Sequence, residues 1–231
     1  MAHNERIGRH LIAFAILLTG CSGGTPAVSS SAELTTTTPS VAAAALDELL
    51  LSAAEVNTAM GTRSMTVAGT WTTMLDASSH IPDKDCVFAY PADNSVYVVS
   101  NWTAVRRQIL DQPGGHSTHE VTQAVVSFPS AEDAARFFAS SAEHWPACAN
   151  RQYRHTSPDD PDVVWSAGPL ADADGTLSVT DTRQGTKTWA CQRALTVNSN
   201  IAVDIAACVP GNPADIAVNI AHQIAAKVAR Q

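Results

Sequence analysis

The chain has 231 residues, 45% of them hydrophobic and only 16% charged, with a formal net charge of −8. Such a chain has room for one domain of ordinary size plus tails, its surface leaning on Ser, Thr, Asn and Gln rather than on charge. The acidic balance, with no Lys/Arg cluster, argues against a nucleic-acid binder, which needs a basic patch against phosphate, and against adhesion to anionic lipid by charge alone.

The amino terminus reads as an export signal. Arg6 and Arg9 precede the apolar run LIAFAILL (11–18), which is far short of the about 20 residues a helix needs to cross a bilayer. The sequence LTGC follows at once and resembles a bacterial lipobox: apolar Leu18, small Thr19 and Gly20, then Cys21. In lipoproteins of this kind the cysteine thiol takes a diacylglyceryl group as a thioether and the signal is cut before it. Residues 1–20 are therefore expected to be a lipoprotein signal peptide and Cys21 the lipid-bearing anchor. Two or more acyl chains hold stably, at about 0.8 kcal/mol per buried methylene, where one chain is marginal. Residues 21–45, rich in Ser, Thr, Pro and Ala, have few large apolar groups to bury and are expected to form a disordered tether. Its reach is roughly 25–30 Å.

The folded domain is expected over 46–231. Leu46, Leu49, Leu50, Ala53, Val56 and Met60 recur at helical spacing, with Gly61 as a stop. MTVAGTW (65–71) reads as a short strand, and CVFAY (86–90) is an apolar run ending at Pro91. WTAVRRQILD and EVTQAVVSF flank the turn cluster QPGGHS and read as a hairpin. Ser130, with Asp133 three residues on, opens a helix whose inward stripe is Ala134, Phe137, Phe138 and Trp145 and which Pro146 ends. TLSVTDT, KTWACQRALTV and IAVDIAACV form a meander with RQGTK as its first turn. Asn212 and Pro213 then open a last helix with Ile216, Ile220, Ile224 and Val228 on one face. The order of elements is that of an α+β fold: a largely antiparallel sheet with helices packed on it, in a single domain.

Export places Cys86, Cys148, Cys191 and Cys208 in an oxidising compartment, where an even set reads as two disulfides. If Ser199-Asn200 form a two-residue hairpin loop, positions equidistant from that loop face each other, and Cys191 and Cys208 are such a pair. Other loop lengths would shift this register. Cys86–Cys148 follows by elimination. A four-cysteine metal site lacks the C-x₂-C spacing.

No chemistry-bearing motif stands out. H-E-x-x-H, S-x-x-K and P-loop patterns are all missing from the sequence. His116 and His119, beside Glu120, fall at the tip of a turn, and His80, His144, His155 and His222 have no partner recognisable from spacing. SPDDPD (157–162) lacks the alternating ligand pattern of a calcium loop. No catalytic residue, metal or cofactor is therefore assigned. Among the five tryptophans, Trp145 and Trp189 fall beside cysteines and are expected to pack on the disulfides. Trp102, followed by Arg106, offers an indole face and a cation to an acidic or sugar-like ligand. The sequon NWT at 101–103 is accidental in a bacterial lipoprotein.

The stretches NWTAVRRQILDQPGG, HEVTQAVVSFPSAEDAARFFASSAEHWPACA and WACQRALTVNSNIAVDIAACV resemble the PknH-like extracellular sensor domain, over roughly residues 45–230. That family includes the outer domain of a mycobacterial receptor Ser/Thr kinase and stand-alone mycobacterial lipoproteins. The resemblance implies an α+β domain with a cleft for an unidentified ligand, and two disulfides at the positions of these four cysteines. No kinase segment or transmembrane helix accompanies the domain here, so a sensing role does not transfer together with an output. Two readings follow. The first is a non-catalytic protein on the extracytoplasmic face of the cell membrane, held by the lipid on Cys21, that binds a small ligand. The second is an envelope structural or accessory protein that binds a protein partner. A concave pocket with convergent polar groups marks the first, an exposed apolar patch the second.

Overall fold

The computed structural model describes residues 40–114, 118–157, 161–185 and 189–231. In chain order its helices are α1 (Leu46–Leu49), α2 (Ala53–Ala59), α3 (Asn94–Tyr97), α4 (Ala131–His144) and α5 (Ile216–Val228), with 3₁₀ turns at Ala43–Ala45, Lys84–Ala89 and Trp145–Ala147. The strands are β1 (Thr66–Trp71), β2 (Ala104–Asp111), β3 (Glu120–Ser127), β4 (Gln152–His155), β5 (Val163–Ala167), β6 (Ala171–Ala173), β7 (Thr176–Arg183), β8 (Trp189–Asn198) and β9 (Ile201–Pro210). They make one antiparallel sheet in the order β1-β2-β3-β9-β8-β7-β5-β4, with β6 paired to β7.

The strands alternate between two cores. From β9, Ile201, Val203, Ile205, Ala207 and Val209 enter the first core, which Leu46, Leu49, Val56, Ile220, Ile224 and Val228 of α1, α2 and α5 close. The other face of the same strands contributes Ala124, Val126, Leu177, Val179, Leu195 and Ala202 to a second core, closed by Phe88, Tyr97, Phe137 and Trp145. The last-named ring stacks on Phe88 at 4.7 Å between centroids. The fold is thus α+β, with helical layers on both faces of one sheet.

The two-residue loop sets the register of the central hairpin. Asn198 pairs with Ile201, Ser199 takes φ of 50°, and Cys191 falls opposite Cys208 with Cα atoms 4.0 Å apart and a disulfide between them. The second bridge joins Cys86 to Cys148 and links the two 3₁₀ turns of the second core. Sequence separations of 17 and 62 correspond to about 3 and about 4 kcal/mol of unfolded-chain entropy removed. Buried Asn200 ties the same turn to the amino-terminal end of the fold. Its amide donates to Phe128 O (3.0 Å) and Val41 O (3.1 Å) and accepts from Val41 N (2.7 Å). The chain therefore packs from Val41, five residues before the expected boundary at Leu46.

Three local expectations differ from the structure. The helix expected over 46–60 is two helices, because the Gln123 side chain on β3 takes the backbone of Leu51, accepting from its N–H (2.9 Å) and donating to its carbonyl (2.8 Å). Ser52 then caps α2 with a reciprocal Glu55 box. The last helix starts at Ile216 rather than Pro213, since Asn212 Oδ1 accepts from Ala214 N (2.9 Å) and holds Ala214 at φ 47°, outside helical space. Strands β4, β5 and β6 were not expected at all.

Candidate functional site

Residues 72–101 form a wall over the second core without contributing a strand to the sheet. Asp93 caps α3 by accepting from Ser95 N (2.9 Å) and draws in Ala77 N (2.6 Å). Two charged side chains in the middle of the central strands pin this wall to the sheet. Asp204 of β9 accepts from Ala92 N (2.8 Å) and from the Tyr97 hydroxyl (2.9 Å), and it pairs with Arg193 of β8. Arg193 in turn donates from Nε to Phe88 O (2.9 Å) and from Nη2 to Tyr90 O (3.4 Å), with its guanidinium over the Trp145 ring. Both are buried. Burial pulls the Arg193 guanidinium down to about 10, which leaves it charged at neutral pH, and pushes the Tyr97 phenol up.

Between this wall and α4 lies a cleft of about 720 Å³. Its apolar lining comes from Val87, Phe88, Val96, Phe137 and Trp145, and the hydroxyls of Ser95, Ser100, Ser140 and Ser141 border it. The charges at its edge already have partners. Lys84 Nζ donates to Ser78 O (2.7 Å), and Arg136 pairs with Glu132 (2.6 Å) and Asp133. His144 Nδ1 lies 2.6 Å from Ser140 O, and a carbonyl only accepts, so that nitrogen carries the proton. It therefore cannot take one from the neighbouring Ser140 hydroxyl at 3.4 Å. Val98 and Val99 stand 62% and 90% exposed, Val99 at the lip of the cleft. The buried indole N–H of Trp145, which lines the cleft, has no hydrogen-bond partner. The arrangement suits a molecule with an apolar body and a few hydroxyl- or amide-like groups.

A second polar group sits on the same sheet face. The Tyr153 hydroxyl donates to Asp181 Oδ2 (2.9 Å), and burial pushes the Asp181 carboxyl up to about 6, against the lowering effects of that hydrogen bond and of Arg193. Beyond it His80 and His155 stack at 5.6 Å, Tyr90 lies 5.9 Å from His155, and His80 Nδ1 contacts Thr156 O at 2.9 Å.

Trp102 and Arg106, the pair expected to line a cleft, are not brought together. Trp102 packs against the second core, whereas Arg106 pairs with Asp47 of α1 on the first-core side. Trp145 shares the second core with Cys86–Cys148, and Trp189 lies half-buried opposite Pro210. His119 is half-buried just before β3, and His222 Nε2 meets Thr176 Oγ1 at 3.0 Å. Asp162 of SPDDPD pairs with Arg154 (3.3 Å). Cys21 and His116 lie outside the described residues. Among the described residues no cluster of His, Cys, Asp and Glu is arranged to hold a metal, and no helix is long and apolar enough to cross a membrane. Sequence reasoning passed over Arg193, Asp204 and Asp181. For Arg193 and Asp204 the signal was a lone charge inside a largely apolar strand, as in CQRALTV and IAVDIAAC, whereas Asp181 in the polar TLSVTDTR gave none.

The PknH-like extracellular domain family matches residues 41–227. The serine/threonine-protein kinases PknH of Mycobacterium bovis and Mycobacterium tuberculosis are each 35% identical to the chain over 189 residues, 81% of this chain. The match covers 31% of the M. bovis kinase and 29% of the M. tuberculosis one, so the chain spans about a third of their length. The crystal structure of the extracellular domain of PknH from M. tuberculosis superposes with a TM-score of 0.80 at 34% identity, covering 84% of this chain and 99% of that domain. With sequence and fold in agreement over the same residues, the chain belongs to the family of PknH-like extracellular domains.

Proposed function

We propose that this protein is a non-catalytic binding domain on the extracytoplasmic face of the cell membrane, held there by lipid on Cys21, with the cleft between α4 and residues 84–101 as its ligand site. The carrying observation is the cleft itself: an apolar lining bordered by serines, with the adjoining Arg136, Asp133 and Asp85 paired within the protein and Lys84 bonded to a backbone carbonyl. Those features select a small amphipathic ligand over a strongly charged one. The lipobox-like LTGC supports the anchor, and the extracellular family supports the side of the membrane. Exposed Val98 and Val99 favour a second reading, in which the same lip meets an envelope protein.

Native mass spectrometry of the full chain, exported in a related host, tests the ligand reading. The expected result is a discrete, dissociable added mass that is absent from Ser140→Tyr, a variant that fills the cleft from an exposed position on α4. A bare wild-type chain that crosslinks to an envelope protein through position 99 would replace it with the partner reading.

A further inference from the structure

We propose that Arg107 and Trp71 form a second binding site, for the carboxylate or phosphate group of a ligand or surface polymer arriving from solvent. The site lies on β1 and β2 and shares no lining residue with the cleft.

Arginines elsewhere in the described structure follow a simple pattern. Arg106, Arg136, Arg151, Arg154 and Arg193 each pair with an aspartate or glutamate. Arg63, Arg183 and Arg230 are exposed to water. Arg107 does neither. It is only 6% exposed, yet among the described residues it has no carboxylate partner and donates no hydrogen bond, and its Nε is sealed from solvent. Burial pulls its guanidinium below the usual arginine value, and no neighbouring acid acts against that. A buried cation without a counter-charge is costly, so the fold holds here a group that an arriving anion would stabilise. Nε is sealed, whereas the two terminal nitrogens are unbonded and not sealed. The residual exposure thus belongs to the forked edge that grips a carboxylate or phosphate bidentately.

The surroundings orient that fork. Trp71 sits directly across the ladder from Arg107, and the guanidinium lies 4.5 Å above its ring, which keeps the planar group flat and presents its edge. Trp71 folds back along its own strand onto Gly69, where a Cβ would come within 2.3 Å of the ring. Gly69 is therefore the cradle that lets the indole lie down. It follows a register shift in β1, so the strand is shaped locally to accept the ring. Thr122 of β3 is the next side chain along the same face, diagonal to Arg107. Its hydroxyl has no partner among the described residues and is not sealed from solvent, so it offers a second donor within reach of the same anion.

The test uses the full chain with ¹⁵N-labelled tryptophan, following the Trp71 indole N–H signal, assigned by its loss in Trp71→Phe. Sodium phosphate and sodium acetate are titrated separately against sodium chloride at equal ionic strength. The expected result is a saturable movement of that signal with phosphate or acetate but not with chloride. Response to phosphate alone marks a phosphate-bearing ligand; response to acetate marks a carboxylate. The movement should vanish in Arg107→Gln and weaken about tenfold in Arg107→Lys, which keeps the charge and loses the fork. Gly69→Ala should weaken it by displacing the indole, and Ser140→Tyr should leave it unchanged, which separates this site from the cleft. An equal response to all three salts, no saturable response to either anion, or an unaltered response in Arg107→Gln overturns the proposal.

Discussion

The buried Arg193–Asp204 pair should be worth far more as a pair than either member is alone. Asp204→Ala strands a buried guanidinium and at the same time leaves Ala92 N–H and the Tyr97 hydroxyl without an acceptor. Breaking a buried ion pair costs about 3–5 kcal/mol, and the two orphaned donors keep the figure toward the upper end. A domain of this size loses about 2–4 °C of Tm per kcal/mol, so the expected drop is roughly 10–20 °C. Arg193→Met should cost a similar amount, since it strands the carboxylate and frees the carbonyls of Phe88 and Tyr90. Arg193→Met with Asp204→Leu removes both charges of the pair but still orphans Ala92 N–H and the Tyr97 hydroxyl, so the double variant should be destabilised by clearly less than the sum of the singles without regaining wild-type stability. Urea unfolding followed by far-ultraviolet circular dichroism with the disulfides intact gives all four corners of the cycle. Single variants costing under about 1 kcal/mol, or a double variant equal to the sum of the singles, would refute the reasoning.

Two further outcomes follow from the same structure. The Asp181 carboxyl holds its proton up to about 6 in the fold, whereas its ordinary value is 3.8. The native state therefore loses stability relative to the unfolded chain as pH rises from about 4 to about 6, by about 3 kcal/mol in all. Asp181→Asn still accepts from Tyr153, so it should raise Tm at pH 7 and leave it unchanged near pH 4; a gain of equal size at both would show that the carboxyl's charge is not the cause. Cys21→Ala should move the protein from the membrane fraction to the soluble envelope fraction, and persistent membrane attachment would remove the lipid anchor from the proposed function.

What the sequence disclosed depended on how local the determining physics was. The Cys191–Cys208 bridge was legible because one short turn, Ser199-Asn200, sets the register of the whole hairpin. The α4 start was legible because Ser130 accepts from Asp133 N three residues away. The break between α1 and α2 was not, since its cause is Gln123, 72 residues distant. Strands β4 and β5 are four and five residues long, and β6 is three, too short for an alternating pattern to emerge. The site suffered from the same distance effect. Trp102 and Arg106 stand four apart, but β2 begins only at Ala104, so Trp102 lies outside the pleat that would give the two a common face. The indoles and guanidiniums that do meet are far apart in sequence: Trp71 with Arg107 on neighbouring strands, and Trp145 with Arg193.

The two faces of the sheet hold their coverings by different balances of apolar contact and directional bonding, and that difference shapes the cleft. On the first face α1, α2 and α5 cover the sheet mainly with Leu, Ile, Val and Met, with Gln123 on Leu51 and Gln192 on Ala217 N as polar keys. On the second face the wall of residues 72–101 has no strand to dock and relies on directional keys. Asp204 takes Ala92 N and Tyr97, Arg193 takes Phe88 O and Tyr90 O, and Cys86–Cys148 ties the wall to the end of α4. Directional keys fix one backbone geometry, which a cleft between that wall and α4 requires and an apolar layer alone would not supply. The same face also carries the uncompensated groups, the Asp181 carboxyl and the Arg107 guanidinium. The first face is covered mostly by apolar packing, and the second spends part of that stability on holding buried polar groups against the sheet.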